Sequence, residues 1–134
     1  MQAIATQERT NYELHNELIK KAEDLIPVLK ARSEAANEDR RIPKETIQDF
    51  KDAGFFKILQ PKQYGGFELD PHTFSEVQLR VAQGCMSTAW VLGVVGIHPF
   101  QLALYDDRHS KKFGAKILIL WFHHPMHQWL KSLQ

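Results

Sequence analysis

An all-α fold is what this sequence predicts. Three observations carry the prediction. Apolar residues recur at three- and four-residue spacing from Leu14 to Leu29, at Ile47 and Phe50, and from Phe74 to Val81. The intervals between these stretches are short and hold helix-opening Pro and helix-ending Gly. From residue 11 to residue 107 there is no clear period-two alternation of the kind strands require.

Composition narrows the class further. The 134 residues suit one small domain, long enough to bury a core, and 43% apolar with 25% charged residues is a globular balance. Seventeen basic residues face sixteen acidic ones, for a net charge near +1. That balance gives no electrostatic reason to expect nucleic acid or an acidic membrane surface as partner. The single cysteine, Cys85, excludes an internal disulfide and agrees with a reducing compartment. The polar stretch MQAIATQERTNYE is not a signal peptide, and the apolar passage at 89–105 is short and broken by Gly93, Gly96, His98 and Pro99. The expected localisation is cytoplasmic, with no membrane segment.

Taken in order, residues 1–10 read as a flexible tail. Thr10 and Glu13 have the spacing of a capping box, which would open a first helix with Leu14, Leu18, Ala22, Leu25, Ile26 and Leu29 on its inner face. Pro27 lacks an N–H and crowds the turn before it, so it should bend or divide that helix. Glu34–Arg41 is a solvated helix end. A second helix has Pro43 near its start, Ile47 and Phe50 inward, and Gly54 as its stop. In FFKILQPKQYGGF (55–67), Phe55, Phe56, Ile58 and Leu59 are core residues, Pro61 breaks regularity, and Gly65-Gly66 permits a turn with positive φ. The spacing is not that of a phosphate-binding loop. Asp70-Pro71 supplies an N-cap and first helical residue for a third helix with Phe74, Val77 and Val81 inward, ended by Gly84. Ser87 or Thr88 can then cap the fourth.

That fourth stretch, Gln83–Tyr105, is the most apolar of the chain, yet it carries Trp90 and His98. Eight residues is a little over two helical turns, so the two would share a face. Set among Ala89, Gly93 and Gly96, an indole and an imidazole could line a pocket for a flat molecule. From residue types alone, a buried core helix whose Trp packs inward is the commoner meaning. Cys85, at the start of this helix, reads as packing and not as a nucleophile.

The runs RRIPKETIQDFKDAGFFKILQPKQYGG and CMSTAWVLGVVGIHPFQLALYDD resemble the N-terminal helical domain of the acyl-CoA dehydrogenase fold. Within that fold, QPKQYGG and STAW followed by GIHPFQ resemble the oxygenase component of two-component flavin-dependent monooxygenases. These are of the p-hydroxyphenylacetate hydroxylase and bacterial steroid-degradation hydroxylase type. The resemblance implies an enzyme that receives reduced FMN or FAD from a separate flavin reductase, reacts it with O2 and hydroxylates a phenolic or other aromatic small molecule. It implies Trp90 beside the flavin ring, His98 near the aromatic substrate's oxygen, and a homotetramer in the full-length family. It covers residues 11–107 only. The β-barrel and C-terminal four-helix bundle of the family are missing, so no complete catalytic set is expected and the fragment alone would be inactive.

Residues 108–134 change character. They hold four of the seven histidines, two of the three tryptophans and the run ILILWF. His123 and His127 have the i, i+4 spacing of helical metal ligands, but Pro125 lies between them and no third ligand is evident, so no metal is expected. Back-translated with ordinary codons and read two bases later, Arg108–Gln134 yields AQQEVWGEDPDTLVSSSYAPVAKVTA. That string looks like the continuation the family would have, and single-codon Trp121, Met126 and Trp129 leave it little freedom. The reading is therefore an aberrant tail from a frame shift near Asp107–Arg108. Two alternatives stand beside it: a fragment of an acyl-CoA dehydrogenase or oxidase, and a non-catalytic helical interaction module.

Overall fold

The structure, a computed structural model, describes residues 2–104. Four helices follow in order, α1 (Gln2–Glu38), α2 (Lys44–Ala53), α3 (Pro71–Gly84) and α4 (Met86–Ala103), with short 3-10 turns at Phe55–Lys57 and Lys62–Tyr64. Among the described residues there is no strand. The expectations for residues 108–134 lie outside the described residues.

α1 differs from expectation at Thr10, where it was expected to begin, and at Pro27, where it was expected to bend or divide. It is helical from Gln2, so Thr10 lies within the helix and is not its cap. The opening residues QAIATQER are mostly good helix formers, and Gln7 donates to Asn11 one turn on at 2.8 Å. Nor does Pro27 divide the helix, which runs on to Glu38. Pro27 is exposed, so the carbonyl one turn earlier that loses its donor faces water and not core. Leu18, Ala22, Leu29 and Ala36 form the buried face of α1.

α1 packs chiefly along α3, whose Phe74, Val77 and Val81 are buried as the spacing predicted. Asp70 caps α3, its Oδ1 accepting from the Thr73 N–H at 3.0 Å, with Pro71 as first helical residue. Polar links flank this apolar seam. Arg80 donates to Glu23 of α1 at 3.1 Å, and His15 of α1 meets the Thr73 hydroxyl at 2.9 Å.

On α2, Phe50 is fully buried but Ile47 is only half so, and the inward partner of Phe50 is Thr46. The reason is Arg32. Its Nη1 donates to Thr46 Oγ1 at 3.1 Å and to Asp49 Oδ2 at 2.6 Å, tying α2 to α1 and giving the buried hydroxyl a partner. Gly54 ends α2 in the left-handed region, φ 84°, its N–H returning to the carbonyls of Phe50 and Lys51.

From there the chain folds back on itself. Phe55 and Phe56 pack against Phe50 at ring separations of 5.5 and 6.2 Å, and Ile58 and Leu59 are buried beside them. Backbone bonds from Phe67 to Lys57, Glu68 to Gln60 and Leu69 to Ile58 close the loop. Gly65 supplies the expected positive φ of 82°. Gly66 serves differently: a Cβ there would fall on the carbonyl of Gln60. The close approach that the glycine pair permits is to the chain's own backbone.

Candidate functional site

α4 is where the sequence concentrates its candidate residues, and its two sides differ sharply. Thr88, Ala89, Leu92 and Val95 are buried. Met86, Trp90 and Val94, each four residues after the last, are exposed at 72%, 70% and 44%. On a helix that spacing makes one stripe, so α4 presents a continuous apolar face outward. Trp90 is therefore not the packed core residue that residue types alone favoured. The interval Cys85 precedes α4, its carbonyl accepting from the Ala89 N–H at 3.0 Å, so Ser87 and Thr88 are helical residues and not caps.

The small residues near Trp90 are where α3 meets α4. Ala89 is buried, and Gly93 and Gly96 are where α3 side chains reach the α4 backbone. Gln78 Nε2 donates to the Ala89 carbonyl at 3.2 Å, its amide passing against Gly93. The ring of Phe74 lies against Gly96. Smallness at Gly93 and Gly96 is used for the approach of α3 side chains.

His98 is also carried by α4, and is half-buried. Its Nδ1 lies 3.0 Å from Oε1 of Gln101, one turn on. This pairing was not anticipated from the sequence, although His and Gln at i, i+3 is a detectable signal. Cys85 is half-buried. Among the described residues no group of three or more His, Cys, Asp or Glu could hold a metal, and no helix is long and apolar enough to cross a membrane. A shallow groove between α1 and α2, lined by Lys21, Asp24, Leu25, Asp49, Asp52 and Ala53, includes neither Trp90 nor His98. Its acids are partly answered by Lys20 on Asp24 and Arg32 on Asp49.

An exposed indole within an apolar stripe can cover one face of a flat aromatic ring and exclude water from it. An imidazole can accept, donate or transfer a proton near neutral pH. Those are the two chemical capacities that α4 offers.

Comparison with known proteins gives these residues a context. Residues 13–104 match the family model of the acyl-CoA dehydrogenase N-terminal domain. The chain is 44% identical over 90 residues to the flavin-dependent monooxygenase oxygenase subunit HsaA of Mycobacterium tuberculosis, covering 67% of this chain and 23% of that protein. It is 31% identical over 99 residues to the oxygenase component of p-hydroxyphenylacetate 3-hydroxylase of Acinetobacter baumannii, covering 74% and 24%. The crystal structure of the HsaA monooxygenase from M. tuberculosis superposes with a TM-score of 0.70 at 36% identity, covering 83% of this chain and 29% of that one. The chain thus spans about a quarter of the length of the curated relatives it matches.

Proposed function

The chain belongs to the acyl-CoA dehydrogenase N-terminal domain family, and from that premise we propose that it is the opening domain of a flavin-dependent monooxygenase oxygenase subunit. The reaction is hydroxylation of a phenolic or related aromatic ring with reduced flavin and O2. Two of the relatives it resembles carry monooxygenase or hydroxylase oxygenase names, which supports the reaction class. A separate flavin reductase would supply the reduced flavin.

The observation that carries the reading is Trp90. A 70% exposed indole flanked by exposed Met86 and Val94 is an unusual use of the largest apolar side chain, and it fits a wall for one face of an isoalloxazine ring. The flavin, when bound, supplies two electrons and the activation of oxygen. This chain's part is to bind and to exclude water. The Met86–Trp90–Val94 face excludes solvent from the ring, and loss of that exclusion would release reduced oxygen as peroxide instead of transferring it. His98 holds the aromatic substrate by its oxygen substituent and takes or returns that group's proton.

Arg108–Gln134 belong, in this proposal, to a shifted reading frame, and the natural continuation is AQQEVWGEDPDTLVSSSYAPVAKVTA followed by further domains. The single-codon residues Trp121, Met126 and Trp129 support it, as does the family match ending at residue 104.

The test is an assay of the frame-restored protein with reduced flavin, O2 and a panel of phenols. Ring hydroxylation is expected, and Trp90→Ala should divert most of the reducing equivalents to hydrogen peroxide. Oxidation of acyl thioesters without hydroxylation of any phenol would overturn the proposal.

A further inference from the structure

We infer that Gln78 of α3 is a positioning residue that sets the rotation of α4 and so keeps Trp90 outward; its functional meaning rests on the cofactor-wall role proposed for that indole. Burial of apolar area does not explain the setting. The buried side of α4 offers Thr88, Ala89, Leu92 and Val95, whereas the exposed side offers Met86, Trp90 and Val94. A turned helix would bury the larger side chains, Trp90 above all, and by apolar area alone that arrangement wins. A helix apolar on both sides carries no amphipathic pattern to choose between them. A contact with direction must make the choice.

Gln78 supplies one. It is half-buried, and its Nε2 donates to the Ala89 carbonyl at 3.2 Å. In a helix that carbonyl also takes the N–H of residue 93, and its two lone pairs serve both donors. The amide comes this near only because residue 93 is glycine: a Cβ there would stand 2.3 Å from Nε2. Gly93 lies three residues after Trp90 and four after Ala89, so on the helix it falls between the outward stripe and the buried side. Gln78 is thus held at the border of the two faces, where rotation of α4 breaks its bond. With Trp90 turned toward α3, the amide would meet an indole ring and lose its acceptor, leaving a polar group unpaired away from water. Phe74 against Gly96 fixes closeness but not direction, since an apolar ring packs on either apolar face. A satisfied polar contact selects one packing among several of similar apolar area.

The test reads the surroundings of Trp90, apart from activity. In the 134-residue chain, Trp121→Phe and Trp129→Phe leave Trp90 as the single indole, and its emission wavelength and quenching by acrylamide are measured. This parent should emit as a solvent-exposed indole and be quenched freely. Gln78→Met keeps the length and removes the donor, and should shift emission to the blue and reduce quenching as Trp90 turns inward. Gly93→Ala, whose Cβ takes the place of the amide, should do the same. Leu79→Ala, at an exposed position of the same helix, should change neither reading. A Trp90 protected in the parent, or left equally exposed in both Gln78→Met and Gly93→Ala, would overturn the inference. So would movement toward full exposure, which is the mark of simple loss of structure, or protection that disappears on dilution, which is the mark of association. If Trp90 turns inward as expected and the frame-restored protein binds no flavin, the cofactor-wall reading falls and the Gln78 assignment stands.

Discussion

The ring of Phe74 on α3 lies so close to Gly96 on α4 that a Cβ at residue 96 would stand 2.6 Å from its Cε2 and Cζ. Phe74 is 5% exposed, so its ring sits in packed interior with little room to move aside. Gly96→Ala should therefore cost about 1–3 kcal/mol, the usual range for overpacking, in spite of alanine's better helix propensity. Urea denaturation checks this through a lower midpoint at unchanged slope. Gly93→Ala gives the comparison. Its obstacle is the far end of Gln78, a side chain able to move, so its cost should be the smaller of the two.

Removal of the α3 cap isolates a second contribution. Asp70→Ala leaves the Thr73 N–H without its carboxylate and should lower stability by about 1 kcal/mol, as N-cap losses commonly do. Asp70→Asn should recover most of it, because the amide oxygen can accept the same bond. Thermal denaturation of the two variants side by side distinguishes loss of the cap from loss of charge.

Trp90 separates stability from function. Its 70% exposure means that Trp90→Ala should change unfolding free energy by no more than about 0.5 kcal/mol, the range of ordinary surface substitutions. Leu92→Ala, on the buried side of the same helix, should cost about 2–5 kcal/mol. A large stability loss in Trp90→Ala would show that the indole is structural and would remove the support for the cofactor-wall role proposed for it.

Much of the architecture was legible in residue order. The caps at Asp70 and Gly54 and the inward Phe74, Val77 and Val81 follow from local rules about backbone donors and helical period, and the structure has them. The departures have tertiary causes. Thr46 took the inward position beside Phe50 because Arg32, fourteen residues earlier, reaches its hydroxyl, a relation no local window contains. Pro27 failed to divide α1 because its face of the helix is exposed, and exposure is not written in a proline. At the candidate site, Trp90 and His98 were legible as residue types and their surroundings were not. An apolar helix in sequence does not say which of its sides lacks a partner, and α4 is apolar on both.

The measurement that bears most directly on the proposed origin of this domain is the nucleotide sequence through the codons for Tyr105–Gln134 and several hundred bases beyond. The account predicts a slip near Asp107–Arg108, after which an open frame encodes SSSYAP and then two further domains. An intact frame through Gln134, with no such sequence in either alternative frame, would contradict it and leave a helical interaction module as the better description of the chain.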